Sequence, residues 1–312
     1  MGDTKRQHYV PRTYLKHFSF DGKRLHTFLL GKDITSVITE ENKSLFIKDI
    51  SLSDVCVSQD YYTIDESNSS NNRGLKAMCL EKEFFQDFAE PKLTLIIKTF
   101  DELAHKILND KQYVSSVKFT DEQLYYLALS AFIQYHRSPR LRHSLESVNS
   151  IMKNILSTLA SDKEHKDLSN IKGLDVAFTH ADKTYLNLHL WRMFYLKISN
   201  YCILLRVSEN GNFFTSDNPV VIHKLGAKGK DTLNVNFYAD EFSLFFPLTS
   251  YLMLEYYNPT YFPEALKMNK TISIVDSKYE NQVNKYQYIN AEKFVFSYKN
   301  DFSLFLKPIS NG

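Results

Sequence analysis

Three stretches of the chain carry side chains able to do chemistry. In HYVPRTYLKHF, residues 8–18, His8 stands four positions before Arg12. An imidazole titrating near neutrality can move a proton. Pro11 holds Val10 extended and can open a helix through RTYLKHF, whose first backbone N–H groups, beside Arg12, suit a phosphate or carboxylate. With a period of two before the proline, His8 and Val10 share one face and Tyr9 takes the other. The same residues also read as a helix cap or core histidine beside an arginine paired with a carboxylate.

The second stretch, FIQYHRSPRLRH, residues 132–143, places Arg137 three positions after Gln134, so both can project from one side of a helix end. Arg137, Arg140, Arg142 and His143 form the densest basic cluster of the chain. They can hold a phosphate, or they can be cations placed where a helix C-terminus favours them. The third stretch is FFTSDNPVV, residues 213–221. Asn218 precedes Pro219 and is therefore extended, and Ser216 and Asp217 fall where a strand leaves its regular pairing. Asp217 can ligate a divalent metal or orient His8, or it can form an Asx turn. Glu83 and Glu90, seven residues apart, lie on one face of a helical stretch.

Gly-rich phosphate loops, His-Glu-x-x-His and Gly-x-Ser-x-Gly are missing from the sequence, which removes the usual P-loop, zincin and α/β-hydrolase readings. The net charge of +2 provides no global attraction for nucleic acid or anionic lipid, so any such contact needs a local patch. Cys56, Cys79 and Cys202 are odd in number and far apart, which fits a reducing compartment and no zinc-thiolate site. No apolar run reaches signal-peptide or membrane-spanning length, and a cytoplasmic protein without membrane contact is expected.

The elements that must position these residues follow from periodicity. KRLHTFLL, SLFIKDIS and DYYTI, within residues 23–64, read as strands, and DESNSSNNRG as a loop. Helical spacing runs from Leu75 to Leu108 with a break at Pro91. A second helix starts at TDEQ, where Thr120 and Gln123 fit a capping box, and ends near Ser138. A third restarts at Pro139 and continues to about Leu159. The polar stretch 161–173 separates it from a fourth over 183–199. Beyond Asn200 the pattern is of strands, with ENGN as a hairpin turn, FSLFLK as a late strand, and one helix over 278–290. This order predicts an α+β fold: a mainly antiparallel sheet built from N- and C-terminal strands around a central helical segment. One compact domain over 1–312 is expected, with sub-regions 1–72, 73–200 and 201–312.

HYVPRTYLKHF, FIQYHRSP and FFTSDNPVV, with FFPLTSYLMLE following, together resemble the domain-of-unknown-function family 4238, a widespread and mostly bacterial group, over nearly the whole chain. The middle motif departs from that pattern at Ser138, where the family has Thr. The resemblance implies that His8, Tyr9, Pro11, Gln134, Arg137, Ser216, Asp217, Asn218 and Pro219 matter together, with Glu83 and Glu90 by a looser match. It assigns no activity. Three polar motifs so far apart make sense if the fold brings them to one cleft.

The leading expectation is an enzyme acting on a phosphate-bearing substrate, nucleic acid or a nucleotide, with a defence or toxin nuclease as one form. His8, Arg137 and Asp217 would be catalytic: a general base or acid, a phosphate holder, and a positioner of His8 or ligand of a divalent metal. Tyr9, Arg12, Glu83, Glu90, Gln134, Arg140, Ser216 and Asn218 would bind substrate. The alternatives are a module that senses a nucleotide or small anion without turnover, and motifs that only lock the fold or an interface.

Overall fold

Pro11 does not itself open the helix expected there: it is the N-cap, at φ −57° and ψ 136°, of a short turn that starts at Arg12. The chain opens on β1 (Arg6–His8), α1 (Arg12–Leu15) and a 3-10 turn (Lys16–Phe18). β2 (Arg24–Leu29), α2 (Lys43–Phe46), β3 (Ile47–Ser51) and β4 (Val57–Gln59) complete the first region. This computed structural model describes residues 6–30, 43–68, 73–111, 113–160, 175–224, 232–233 and 242–306. The helical segment starts with a π-helical stretch (Leu80–Ala89) that runs into α3 (Glu90–Asn109), with Pro91 as the second residue of α3. β5 (Val114–Ser116), α4 (Asp121–His136), α5 (Pro139–Ala160), α6 (Val176–Lys183) and α7 (Leu188–Ile198) follow. The last third holds β6 (Cys202–Ser208), β7 (Thr215–Ser216), β8 (Val221–Lys224), β9 (Thr232–Leu233), β10 (Phe242–Pro247), β11 (Leu252–Tyr257), β12 (Thr271–Val275), α8 (Ser277–Asn290), β13 (Phe294–Ser297) and α9 (Ser303–Leu306).

The fold is α+β. A seven-stranded sheet runs β5-β12-β6-β11-β10-β8-β9, antiparallel except for the parallel β12–β6 pair. A four-stranded antiparallel sheet, β3-β2-β13-β7, joins N-terminal to C-terminal strands, and β1 pairs with β4. The expected union of the two ends of the chain is therefore real, but it occurs in the smaller sheet. The main hydrophobic cluster draws on all three regions, from Tyr9 through Phe100 and Phe132 to Leu254 and Phe296.

Several local expectations are corrected. ENGN does not make a hairpin: β6 pairs with β11 and β12, while β7 pairs with β13 in the other sheet. Gly211, at φ +67° with Tyr251 ring carbons 2.8 Å from where a Cβ would lie, still needs to be glycine. The expected late strand is instead the helix α9: Asp301 Oδ1 accepts the Ser303 N–H at 3.0 Å, and Phe302 and Phe305 both reach the cluster of Phe28, Phe214 and Val295. DYYTI is a turn, with Asp60 at φ 52° and the Tyr62 N–H given to Gln7 Oε1. The helix expected from residue 183 begins at Leu188, capped by Asn187, after a separate α6 capped by Asp175. The polar stretch 161–173 lies outside the described residues.

Candidate functional site

α4 begins as its sequence requires: Thr120 Oγ1 accepts the Gln123 N–H at 3.1 Å while Gln123 Oε1 accepts the Thr120 N–H at 2.9 Å. That cap fixes the helix phase that delivers Gln134 and Arg137 inward at its other end. Gln134, 2% exposed, donates from Nε2 to the Tyr9 carbonyl at 3.3 Å. Arg137, 1% exposed, donates Nη2 to the His8 carbonyl at 2.6 Å, Nη1 to Glu90 at 3.1 Å and Nε to the Tyr62 hydroxyl at 2.8 Å. Its guanidinium carbon lies 4.0 Å from the centroid of Phe85. Burial works against this charge, but Tyr62 and Glu90 keep the guanidinium pKa above its usual value. Arg137 is thus an internal anchor, and its expected role at a substrate phosphate is corrected: every nitrogen of the fork already has a protein partner.

The third motif is joined to the second by the Ser138 hydroxyl, which donates to Asn218 Oδ1 at 2.6 Å. Asp217 is fully buried. Its two carboxylate oxygens accept the backbone N–H groups of Glu292 at 2.9 Å and Lys293 at 2.7 Å, and its own N–H reaches the Phe294 carbonyl. Burial pushes the carboxyl up to about 7 while the two backbone donors oppose the shift. Neither oxygen turns to His8 or to an open face, so the expected catalytic and metal roles of Asp217 are replaced by a clamp on the α8–β13 connection. Among the described residues no group of three His, Cys, Asp or Glu side chains is placed to hold a metal ion.

The buried face of α8 was not foreseen. Glu280, Asn284, Gln287 and Asn290, spaced four, three and three apart, point into the fold, while Ile289 is exposed. Glu280 takes the Ser208 hydroxyl, Asn284 Oδ1 the Phe214 N–H at 2.8 Å, and Gln287 Oε1 the Ser216 hydroxyl at 2.9 Å. Gln287 Nε2 donates to the Pro219 carbonyl, and Asn290 Nδ2 to the carbonyls of Asn218 and Val220. Ser216 and Asn218 are therefore held by this ladder. The helical spacing of the four polar residues was the available signal.

The open part of the seam lies around His8. Its ring is half-buried and Nε2 lies 3.2 Å from the Leu52 carbonyl. A carbonyl only accepts, so Nε2 carries the proton and Nδ1 keeps its lone pair. Burial lowers the imidazole pKa below 6.5, and Arg12 and Arg137 act in the same direction against Leu52 and Glu90. Arg12 is exposed, and Glu90 keeps about a fifth of its side chain at the surface. Tyr9 is buried against Tyr61, ring centroids 5.5 Å apart, and burial raises its phenol beyond the usual range. Glu83 faces solvent. The second acid on the Arg137 side, beside Glu90, is Glu81, because the i→i+5 bonding of the π-helical stretch makes the nine residues to Glu90 roughly two turns. Burial raises the Glu81 carboxyl above its usual range, with Arg137 opposing and Glu90 adding to the shift.

Gln134 lines two cavities. One, of about 10 Å³, has Pro11, Glu90, Ser130 and Arg137 in its wall, and the other, of about 50 Å³, has Ser138, Arg140, Asn218 and Asn290. Arg140 is 45% exposed and 3.9 Å from Glu292.

The fold and this seam define an α+β protein in which two buried polar motifs pin a histidine-bearing segment near the surface. The chain belongs to the family described as "Protein of unknown function (DUF4238)", whose model matches residues 6–301. No curated protein and no solved structure matches it. No helix among the described residues is long and apolar enough to cross a membrane.

Proposed function

We propose that the protein is a hydrolase of phosphodiester or other phosphate-bearing substrates, with a nucleic-acid strand as the substrate class and a nuclease of bacterial defence or toxin type as its concrete form. The reading rests on one observation: the half-buried His8 donates from Nε2 to the Leu52 carbonyl, which leaves the ring's lone pair on Nδ1, with the exposed Arg12 and the partly exposed Glu90 as charged neighbours. Nδ1 accepts a proton from the attacking group, Arg12 holds the phosphate, and the Glu90 charge favours the imidazolium as it forms. The cavity beside Arg137 holds about one water-sized molecule. It cannot enclose a nucleotide, which favours a strand lying across the surface. Arg137 and Gln134 serve as positioning residues, since they grip the carbonyls on either side of the His8–Tyr9 bond.

Purified protein incubated with single- and double-stranded RNA and DNA is expected to cleave one of them, and His8→Ala to abolish cleavage with a small change in melting temperature. Cleavage that survives His8→Ala, or that never occurs, overturns the reading. A second reading, in which the motifs only lock the fold, is favoured by the burial of Arg137 with a protein partner on each guanidinium nitrogen and by the two engaged carboxylate oxygens of Asp217. It predicts no turnover in any assay and loss of stability alone in the motif variants.

A further inference from the structure

α5 starts at Pro139 and carries His143, Glu146, Ser147 and Ser150 past the α8–β13 connection, which faces them with Glu292 and Lys293. Between them lies an open cleft of about 700 Å³, with Leu30 at its edge. This is the scale of a small-molecule site, whereas a bare inorganic ion needs far less room.

The carboxylates of the cleft are already engaged. Glu292 is 3.5 Å from His143 Nδ1 and 3.9 Å from Arg140 Nε, and Glu146 accepts Arg142 Nε at 2.9 Å. The Ser147 hydroxyl donates to the His143 carbonyl at 2.9 Å. Lys293 lines the cleft with no carboxylate partner among the described residues. Its backbone is fixed on both sides: the N–H is held by Asp217 Oδ2 at 2.7 Å and the carbonyl takes the Leu30 N–H at 2.9 Å. A cation whose backbone is fixed, an imidazole and the Ser150 hydroxyl face one ligand-sized space.

We propose that this cleft binds a small organic phosphate, with the phosphate at Lys293, His143 and Ser150 and the organic body toward Leu30. Neither His8 nor Arg12 lines the cleft, which also shares no lining residue with the cavity beside Glu90 and Arg137. Asp217 gains a purpose from it: the third motif fixes the wall that carries Lys293.

Isothermal titration calorimetry with AMP, ribose 5-phosphate and inorganic phosphate tests this on the full chain. Saturable binding of at least one of the two organic phosphates is expected, tighter than that of inorganic phosphate. Lys293→Ala and His143→Ala should each weaken it about tenfold or more, and His8→Ala and Arg12→Ala should leave it unchanged. The proposal falls if neither organic phosphate binds, if Lys293→Ala binds as the wild type does, or if His8→Ala removes binding, which would place the ligand at the other site. Inorganic phosphate binding as tightly as either ester would remove the organic body from the proposal and so overturn it. Unliganded melting temperatures of the variants separate lost binding from lost folding.

Discussion

The guanidinium of Arg137 donates to the carbonyl of His8, 129 positions earlier in the chain, at 2.6 Å. A positive charge that is 1% exposed thereby holds the backbone of the half-buried His8. The contact explains why two motifs far apart in sequence belong together without both touching a substrate.

Replacing Arg137 by Met should cost about 3–5 kcal/mol, because Glu90, the Tyr62 hydroxyl and the His8 carbonyl all lose their donor in a buried setting. Arg137→Lys should recover only part of this, since an ammonium cannot reproduce the planar fork. Urea unfolding of the three proteins measures the difference, and a loss below about 1 kcal/mol for Met would contradict the anchor role.

Stability should depend on Asp217 in an unusual direction. Its folded pKa of about 7 lies above the ordinary 3.8, so the native state binds a proton that the unfolded chain has released. That contribution is fully present below about pH 4 and is lost as the pH rises through about 7. The difference in unfolding free energy between wild type and Asp217→Asn, measured from pH 4 to 8, should shrink with rising pH. Asp217→Asn should itself be destabilising, because an amide N–H₂ would face the N–H of Lys293 or Glu292. A pH-independent difference would show that the carboxyl titrates normally.

If His8 is the base, kcat/KM for the cleaved substrate should rise from acid pH through a value below 6.5 and level off near neutrality, since the neutral ring is the active form and burial lowers its pKa. Glu90→Gln, by removing a charge that favours the imidazolium, should move this acid limb further down. An unmoved limb in the pH profile would separate Glu90 from His8.

Within α8, Asn284→Leu should destabilise by about 1–3 kcal/mol for each backbone group it orphans, here the Phe214 N–H and the Asn212 carbonyl. Lys285→Ala, one residue away on the exposed side, should be nearly neutral. Paired denaturation curves check the contrast, and similar effects at both positions would contradict the ladder.

Much of the frame could be read from local chemistry. The capping box at Thr120 and Gln123 and the restart at Pro139 depend on residues next to one another, and both occur. The second motif touches the first through Gln134 and Arg137 and the third through Ser138, but Arg137 and Asp217 are buried on other partners and do not share with His8 the open cleft expected of the three motifs. What misled was a choice of period or of partner. Glu83 falls on the right face only if the helix is α throughout, and the π-helical stretch shifts the phase so that Glu81 takes its place. Asn-Gly favours a hairpin in isolation, but β6 finds longer partners in β11 and β12. A polar stripe on a helix ordinarily reads as solvated, and only the fold shows that α8 turns this side inward. The burial of Arg137 was unreadable for the same reason, since Tyr62, Phe85 and Glu90 arrive from distant segments.

The ladder on α8 makes that helix a ruler laid against an irregular length of chain from Ser208 to Val220. Swapping a single rung removes one grip, but adding or deleting one residue would rotate every later rung by about 100° and lift them all off together. Length is thus the quantity this helix cannot change: its sequence can drift at Lys278, Gln282 or Lys285, while its count of residues between Glu280 and Asn290 is fixed by the strand it measures.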